Sequence, residues 1–388
     1  MGSPAGDGRA RSSDVAYYAT PMPCQRTGPG KAGDGELKFD VTKFNQAYFD
    51  RLRSRVIAAR DRGIYVSVML FQGWCVFKFG GNHDPWLYHP LHKGNNVNGL
   101  DGDPNGNREG EEVHSLRIPA IIRRQEAYVR KVIDTVNDLD NVLYEISNET
   151  KPSAATKEWE YHIVRYVKQY EAGKPKQHPV GVTSNSVFTS DVLDSSPSEW
   201  VSLRRDWSKP ETERVLRLDP AVADGRKVSI LDTDHIGADT FIKDAAFSRR
   251  WVWKAFVRGH NPILMDALQI DDNLWTPNGA GLVAGRQAMG HSRTYANRMN
   301  LASTTPQPGL ASTRYCLANV GVEYLIYQPK TGESFFVQLK AGKYRYEWFD
   351  PVKGATLASG QVEAPGGAQQ FKMPFEGEAV LYLKARSF

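Results

Sequence analysis

Four times between residues 40 and 266, a stretch with apolar residues at helical spacing hands the chain to a short apolar run. In the first, Phe44, Tyr48, Phe49, Leu52, Val56 and Ile57 recur on one helical face before Gly63, and IYVSVMLF (64–71) follows. The spacing predicts a helix over 40–62, capped by Asp40 or Thr42, that runs into a buried strand. Ile122, Val129, Val132, Ile133 and Val136 mark a second helix before a strand at 142–147. A helix over 155–171 precedes HPVGVTS (178–184), and a Trp-rich helix over 245–258 precedes NPILMD (261–266). EWVSL (199–203) and KVSILDTDH (227–235) add two runs of strand character, and a helix over 286–300 closes the region. Strands alternating with helices imply a parallel sheet with helical cover. Trp251 and Trp253 fall within a helix and read as core.

The character changes after Pro306 and Pro308. From about residue 314 only short strands remain, EYLIYQ, SFFVQL, KYRYEWF, AQQFKMP and EAVLYLKA, separated by turn chemistry such as PKTGE and DPVKGA. Such spacing predicts a small antiparallel sandwich. The chain then divides into a poorly structured segment (1–35), an α/β region (36–305) and a β-sandwich (314–388), with the boundary at 303–314. Upstream of the first strand only DVAYYAT (14–20) has strand character.

Several function classes fit poorly. The net charge of +5 is spread without long basic runs, so nucleic acid is not an expected partner. Cys24, Cys75 and Cys316 lie far apart, which suggests neither a disulfide framework nor a thiolate metal site. No apolar run reaches the ~18 residues of a membrane span. The opening MGSPAGDGRARSSD is polar and has no apolar signal-peptide core.

The strand ends carry the chemistry. In NVLYEISNET (141–150), strand alternation places Leu143, Glu145, Ser147 and Glu149 on one face. Two carboxylates on a dry face are strongly penalised, so either this face lines a wet site or the run is not a strand. Glu145, deeper in the strand, reads as a hydrogen-bonding partner; Glu149 stands at the strand end, where capping the following helix is the plainer alternative. In KVSILDTDH, Val228, Ile230, Asp232 and Asp234 share a face. Trp74, just past 64–71, offers an aromatic face for stacking, and Asp266 ends NPILMD. The loop DGDPNGNREGEE fits a calcium-loop template through Asp101, Asp103, Asn105, Gly106 and Glu112. An ion-free surface or substrate-rim loop fits it as well, because Pro104 and Arg108 depart from the usual pattern.

YEISNE and, about 80 residues later, KVSILDTDH resemble the fourth and seventh strands of a clan-A glycoside hydrolase barrel. FDRLRSRVIAARDRGIYVSVMLFQGW, VIDTVNDLDNVLYEISNE and WVWKAFVRGHNPILMD resemble the cellulase-like, apiosidase-related families of that clan. AGKYRYEWFDPVKGA resembles the collagen-binding β-sandwich module in which those families often end. The resemblance spans roughly residues 35–388 and implies a (β/α)8 TIM-type barrel followed by that sandwich. Only six barrel strands are legible against the eight expected, so the barrel is read as complete or as lacking its first one or two strand–helix units.

The resemblance implies a retaining glycoside hydrolase acting on a plant or microbial polysaccharide or oligosaccharide, with two carboxyl groups about 5–5.5 Å apart. Glu149 is then the general acid/base, and Asn148 binds the hydroxyl beside the reacting carbon. Asp232 is the first choice of nucleophile and Asp234 its rival, since the clan usually carries Glu there. His235 would tune or orient either carboxylate, and Asp266 would support or contact the substrate. No cofactor is required, with structural calcium at the 101–112 loop as the alternative. The family implies a secreted or periplasmic protein. A non-catalytic carbohydrate-binding protein on an incomplete barrel is the rival reading.

Overall fold

The computed structural model describes residues 21–73, 76, 85–148, 150–184, 195–203, 218–232, 244–264 and 279–386. The chain forms two compact units, residues 1–185 with 190–201, and residues 186–189 with 202–388. Trp74, Glu149, Asp234, His235, Asp266 and the DVAYYAT stretch lie outside the described residues. No described helix is long and apolar enough to cross a membrane.

The first unit opens on an antiparallel hairpin, β1 (Cys24–Lys31) and β2 (Leu37–Phe44). Residues 24–31, within the segment expected to be poorly structured, thus form a strand. The hairpin buries little beyond Cys24, Phe39 and Val41, so its apolar signal is too short to read locally. Because 37–44 is committed to the hairpin, the helix expected from residue 40 begins later, as α1 (Gln46–Arg60). Asn45 caps it, accepting a hydrogen bond from the Ala47 N–H at 3.3 Å.

Strand and helix then alternate: β3 (Val66–Gln72), α2 (Pro119–Val136), β4 (Val142–Asn148), α3 (Ala154–Glu171), β5 (Val180–Ser184) and β6 (Trp200–Leu203). Pro119 opens α2, where a missing N–H leaves no bond unmade. Ser153 caps α3 by accepting from the Thr156 N–H at 3.0 Å. β3 and β4 run parallel with Val66 opposite Val142 and Gln72 opposite Asn148. β4 and β5 run parallel with Tyr144 opposite Val180. The Asn141 amide donates to the carbonyls of Val56 and Ile64, both at 3.0 Å, and so ties the end of α1 to the entries of β3 and β4. Along β3 and β4, Val68, Leu70, Tyr144 and Ile146 are buried, while Ser67 and Met69 are exposed and Leu143 and Glu145 half-buried. Phe71 meets Tyr128 and Trp159 edge-on, with ring centroids 5.7 and 5.2 Å apart. Burial of each such side chain contributes about 1.5–3 kcal/mol before the entropy of ordering is set against it.

The second unit contains β7 (Val228–Asp232), α4 (Ala245–Val257), β8 (His260–Ile263) and α5 (Ala280–Arg298). β7 and β8 are parallel, with Asp232 opposite Ile263. Thereafter come β9 (Thr305–Pro306), β10 (Cys316–Asn319), β11 (Glu323–Gln328), β12 (Phe335–Leu339), β13 (Gly342–Asp350), β14 (Ala355–Ala364), β15 (Gly367–Phe371) and β16 (Ala379–Ala385). They pair antiparallel as a sheet in the order β14-β13-β16-β11-β10-β9 and a pair β12-β15. Tyr324, Ile326, Phe335, Val337, Trp348, Leu381 and Leu383 share one core. β14 escapes the sequence pattern because it is an edge strand that buries only Ala364.

The expected boundary at 303–314 separates the two kinds of strand, yet the compact unit spans it. Trp253 of α4, fully buried, lies within 5.9 Å of the Tyr295 ring (α5), 6.2 Å of Tyr327 (β11) and 6.0 Å of Phe349 (β13). Arg298 grips Glu347 with two bonds of 2.6 and 2.8 Å, and Arg249 reaches Glu378 at 2.8 Å. Trp251 is equally buried, so both tryptophans serve as core.

Candidate active site

β4 delivers its polar end through parallel pairing. Asn148 is half-buried at the strand terminus, and its amide donates to Gln72 Oε1, 3.0 Å away at the end of β3. Glu145, three residues deeper in β4, accepts from Thr183 Oγ1 on β5 and from Ser67 Oγ on β3 at 3.4 Å. Its carboxylate is thereby satisfied across three strands, as the alternation suggested. Gly73 closes the turn after β3: its N–H donates to the Asn148 carbonyl at 2.7 Å.

Beneath this strand end sits an acid that the sequence did not single out. Glu160 of α3 accepts the Ser147 hydroxyl at 2.6 Å and the Thr150 hydroxyl at 3.1 Å, both on Oε1. Burial pushes its carboxyl up to about 7, those hydroxyls pull the other way, and Glu145 adds to the rise. Beside it, His114 packs on Trp159 with centroids 4.7 Å apart, and burial holds its imidazole near 3, hence neutral. Trp159 donates to Gln125 Oε1 at 2.9 Å, and Gln125 in turn donates to the Val113 carbonyl at 2.7 Å.

The acidic loop borders the same strand end. Lys151 pairs with Glu109 and, at 3.6 Å, with Glu111, and the Glu109 bond raises the lysine's pKa. Asp101 accepts the Asp103 N–H at 3.1 Å and pairs with Lys93 at 3.3 Å. Asp103 Oδ2 accepts the Arg108 N–H at 2.9 Å, and Asn105 donates to Glu112 Oε1. Asp103 Oδ1, Glu111 Oε2 and Glu112 Oε2 are buried without a hydrogen-bond partner. Burial, with Glu111 and Asp103 adding repulsion, raises the Glu112 pKa. These oxygens do not converge: among the described residues no three His, Cys, Asp or Glu side chains are gathered to hold a metal ion.

In the second unit Asp232 ends β7 half-buried. Three residues earlier on β7, Ser229 Oγ lies 2.8 Å from His260 Nδ1 on β8, and the ring's other nitrogen meets the Ala221 carbonyl at 2.6 Å. Burial holds this imidazole near 4, so it is neutral and structural.

A family model, Domain of unknown function (DUF6298), matches residues 9–205, 197 of the 388 in the chain. The chain belongs to the DUF6298 family. Comparison of this DUF6298 chain with curated proteins gives no match. Among solved structures it is similar to a protein titled glycoside hydrolase, with TM-score 0.56 and 13% identity, over 88% of the DUF6298 chain and 78% of the other. A glycoside hydrolase family 5 structure from Bacteroides vulgatus ATCC 8482 matches with TM-score 0.56 and 12% identity, over 87% of the DUF6298 chain and 74% of the other. At these identities the likeness concerns the fold: a mixed α/β architecture with parallel strands, of the kind on which a partial TIM-type barrel is built.

Proposed function

We propose that this DUF6298 chain is a retaining glycoside hydrolase acting on a plant or microbial polysaccharide or oligosaccharide. One observation carries the reading. A parallel strand, in a fold similar to glycoside hydrolases, ends on Asn148 held by Gln72, and the next residue is Glu149. Catalytic groups of (β/α) barrels stand at such C-terminal strand ends. In this reading Glu149 gives its proton to the leaving oxygen as Asp232, or Asp234, attacks the anomeric carbon. The glycosidic C–O bond breaks and a glycosyl–carboxylate bond forms. Glu149 then takes a proton from water, which displaces the carboxylate and releases the sugar. Asn148 holds the hydroxyl next to the reacting carbon, and Trp74, His235 and Asp266 complete substrate contact. The apiosidase-related subgroup and the sandwich character of the C-terminal strands belong to the same proposal. Hydrolysis of a panel of aryl glycosides and polysaccharides by wild type and by Glu149→Gln tests it. Turnover by wild type alone is expected; equal turnover by both removes Glu149 from the mechanism.

The rival, carbohydrate binding without turnover, is favoured by one feature. Met69 on β3 is 38% exposed, on a strand face that a closed barrel fills with packed side chains. Sugar binding that is unchanged in Glu149→Gln, with no product released by either chain, selects this reading.

A further inference from the structure

Ser147 and Thr150 flank the Asn148–Glu149 pair in the chain, one on each side. Both hydroxyls donate to one oxygen of Glu160, whose residue is 6% exposed. Its helix neighbours Trp159 and Ile163 are fully buried and apolar, so packing alone has no use for an acid at this position. A buried carboxyl is tolerated where its oxygens are hydrogen-bonded, and here the donors are the two residues that bracket the strand end.

We infer that Glu160 is a positioning residue for the proton donor, its buried carboxyl oxygen gathering the hydroxyls of Ser147 and Thr150, the two residues that bracket Asn148 and Glu149 in the chain. The inference rests on the reading of Glu149 as acid/base. A second tie secures the strand end, since the Gly73 N–H holds the Asn148 carbonyl at 2.7 Å. The groups around Glu160 do not neutralise it. Glu145 on β4 is a like charge that favours its protonated form, and His114, packed on the neighbouring Trp159, is kept neutral by burial. Glu160 therefore acts through hydrogen bonds, not as half of an ion pair.

A misplaced proton donor harms only those reactions that need the proton. The test compares kcat/KM, which reports the first chemical step, on a phenyl glycoside and on the dinitrophenyl glycoside of the same sugar, whose leaving phenolate needs no protonation. Glu160→Ala is expected to lower kcat/KM on the phenyl substrate about a hundredfold, the low end for general acid catalysis, and to leave the dinitrophenyl value within a few-fold. Glu160→Gln, whose amide oxygen accepts both hydroxyls, is expected to restore most of the loss. Should Glu160→Ala fail to fold by near-UV circular dichroism, the pair Ser147→Ala with Thr150→Val removes the donors instead and is expected to show the same split. An equal fall on both substrates, or no fall, overturns the positioning role while the glycosidase reading stands. A folded wild type that hydrolyses no glycoside in the panel overturns both.

Discussion

A β-carbon on Gly73 would stand 2.4 Å from both the backbone nitrogen and the Cα of Thr150. The backbone at Gly73 and the backbone at Thr150 are thus in contact, and only a residue without a side chain fits at position 73. This approach brings the Asn148 carbonyl within reach of the Gly73 N–H. It also sets residue 150 where its hydroxyl meets Glu160.

Gly73→Ala is expected to destabilise the protein by about 1–3 kcal/mol, the usual cost of overpacking against atoms that cannot rotate away. Gly173→Ala is the control, because a β-carbon there meets nothing within 4 Å. Thermal denaturation of the two variants beside wild type measures the difference, and equal melting temperatures would falsify the close approach. Where wild type shows glycoside turnover, Gly73→Ala is also expected to lose it well below the melting temperature.

Glu160 should leave a mark on stability against pH. Unfolded, its carboxyl titrates near 4.5; folded, near about 7. Between those values the native state keeps a proton that the unfolded state has released, so unfolding free energy falls as pH rises through this window. The stability is fully present below 4.5, and about 3 kcal/mol of it is lost by the time pH has passed 7. Glu160→Gln removes that slope. Urea titrations at several values from pH 4 to pH 8 are expected to show the variant gaining on wild type toward the alkaline end. Parallel curves would mean that folding leaves this carboxyl's pKa unchanged.

The loop at 101–112 yields a prediction with and without calcium. Glu112 is 4% exposed, and its Oε2 is buried without a partner. Glu112→Gln keeps an acceptor for Asn105 and removes the buried charge. In EDTA this variant is expected to be more stable than wild type by about 1 kcal/mol. If the loop takes calcium, adding the ion reverses the order by stabilising wild type alone; if it does not, the order holds in both buffers.

Trp253→Ala should unfold more than one helix. The indole is fully buried among Tyr295, Tyr327 and Phe349, so its removal is expected to cost about 3–5 kcal/mol. Because those rings come from α5, β11 and β13, the helices and the antiparallel strands are expected to lose stability in one transition. Hydrogen exchange on both sets of amides checks this. Loss of protection confined to α4 would show that the C-terminal strands fold independently of it.

Local pattern alone specified a good deal of this protein. The helical spacing at 122–136 and the apolar runs at 66–72 and 142–148 are decided within a few residues of themselves, because helix and strand bury one face at a fixed period. The same arithmetic placed Glu145 on the polar face of β4 and pointed to the strand end at 148. It failed where burial is slight: β1 carries few apolar residues, and β14, an edge strand, needs almost none. Tertiary structure decided the rest. Glu160 sits in a helix as one polar residue among many, and its burial is intelligible only once the hydroxyls of Ser147 and Thr150 arrive from another element to satisfy it. Gln72 and Gly73 gain their roles because parallel pairing sets them beside Asn148 and Thr150, across 76 positions of chain. A hydrogen bond or a close approach between distant residues leaves no periodic trace, so such partners become visible only when the chain is folded.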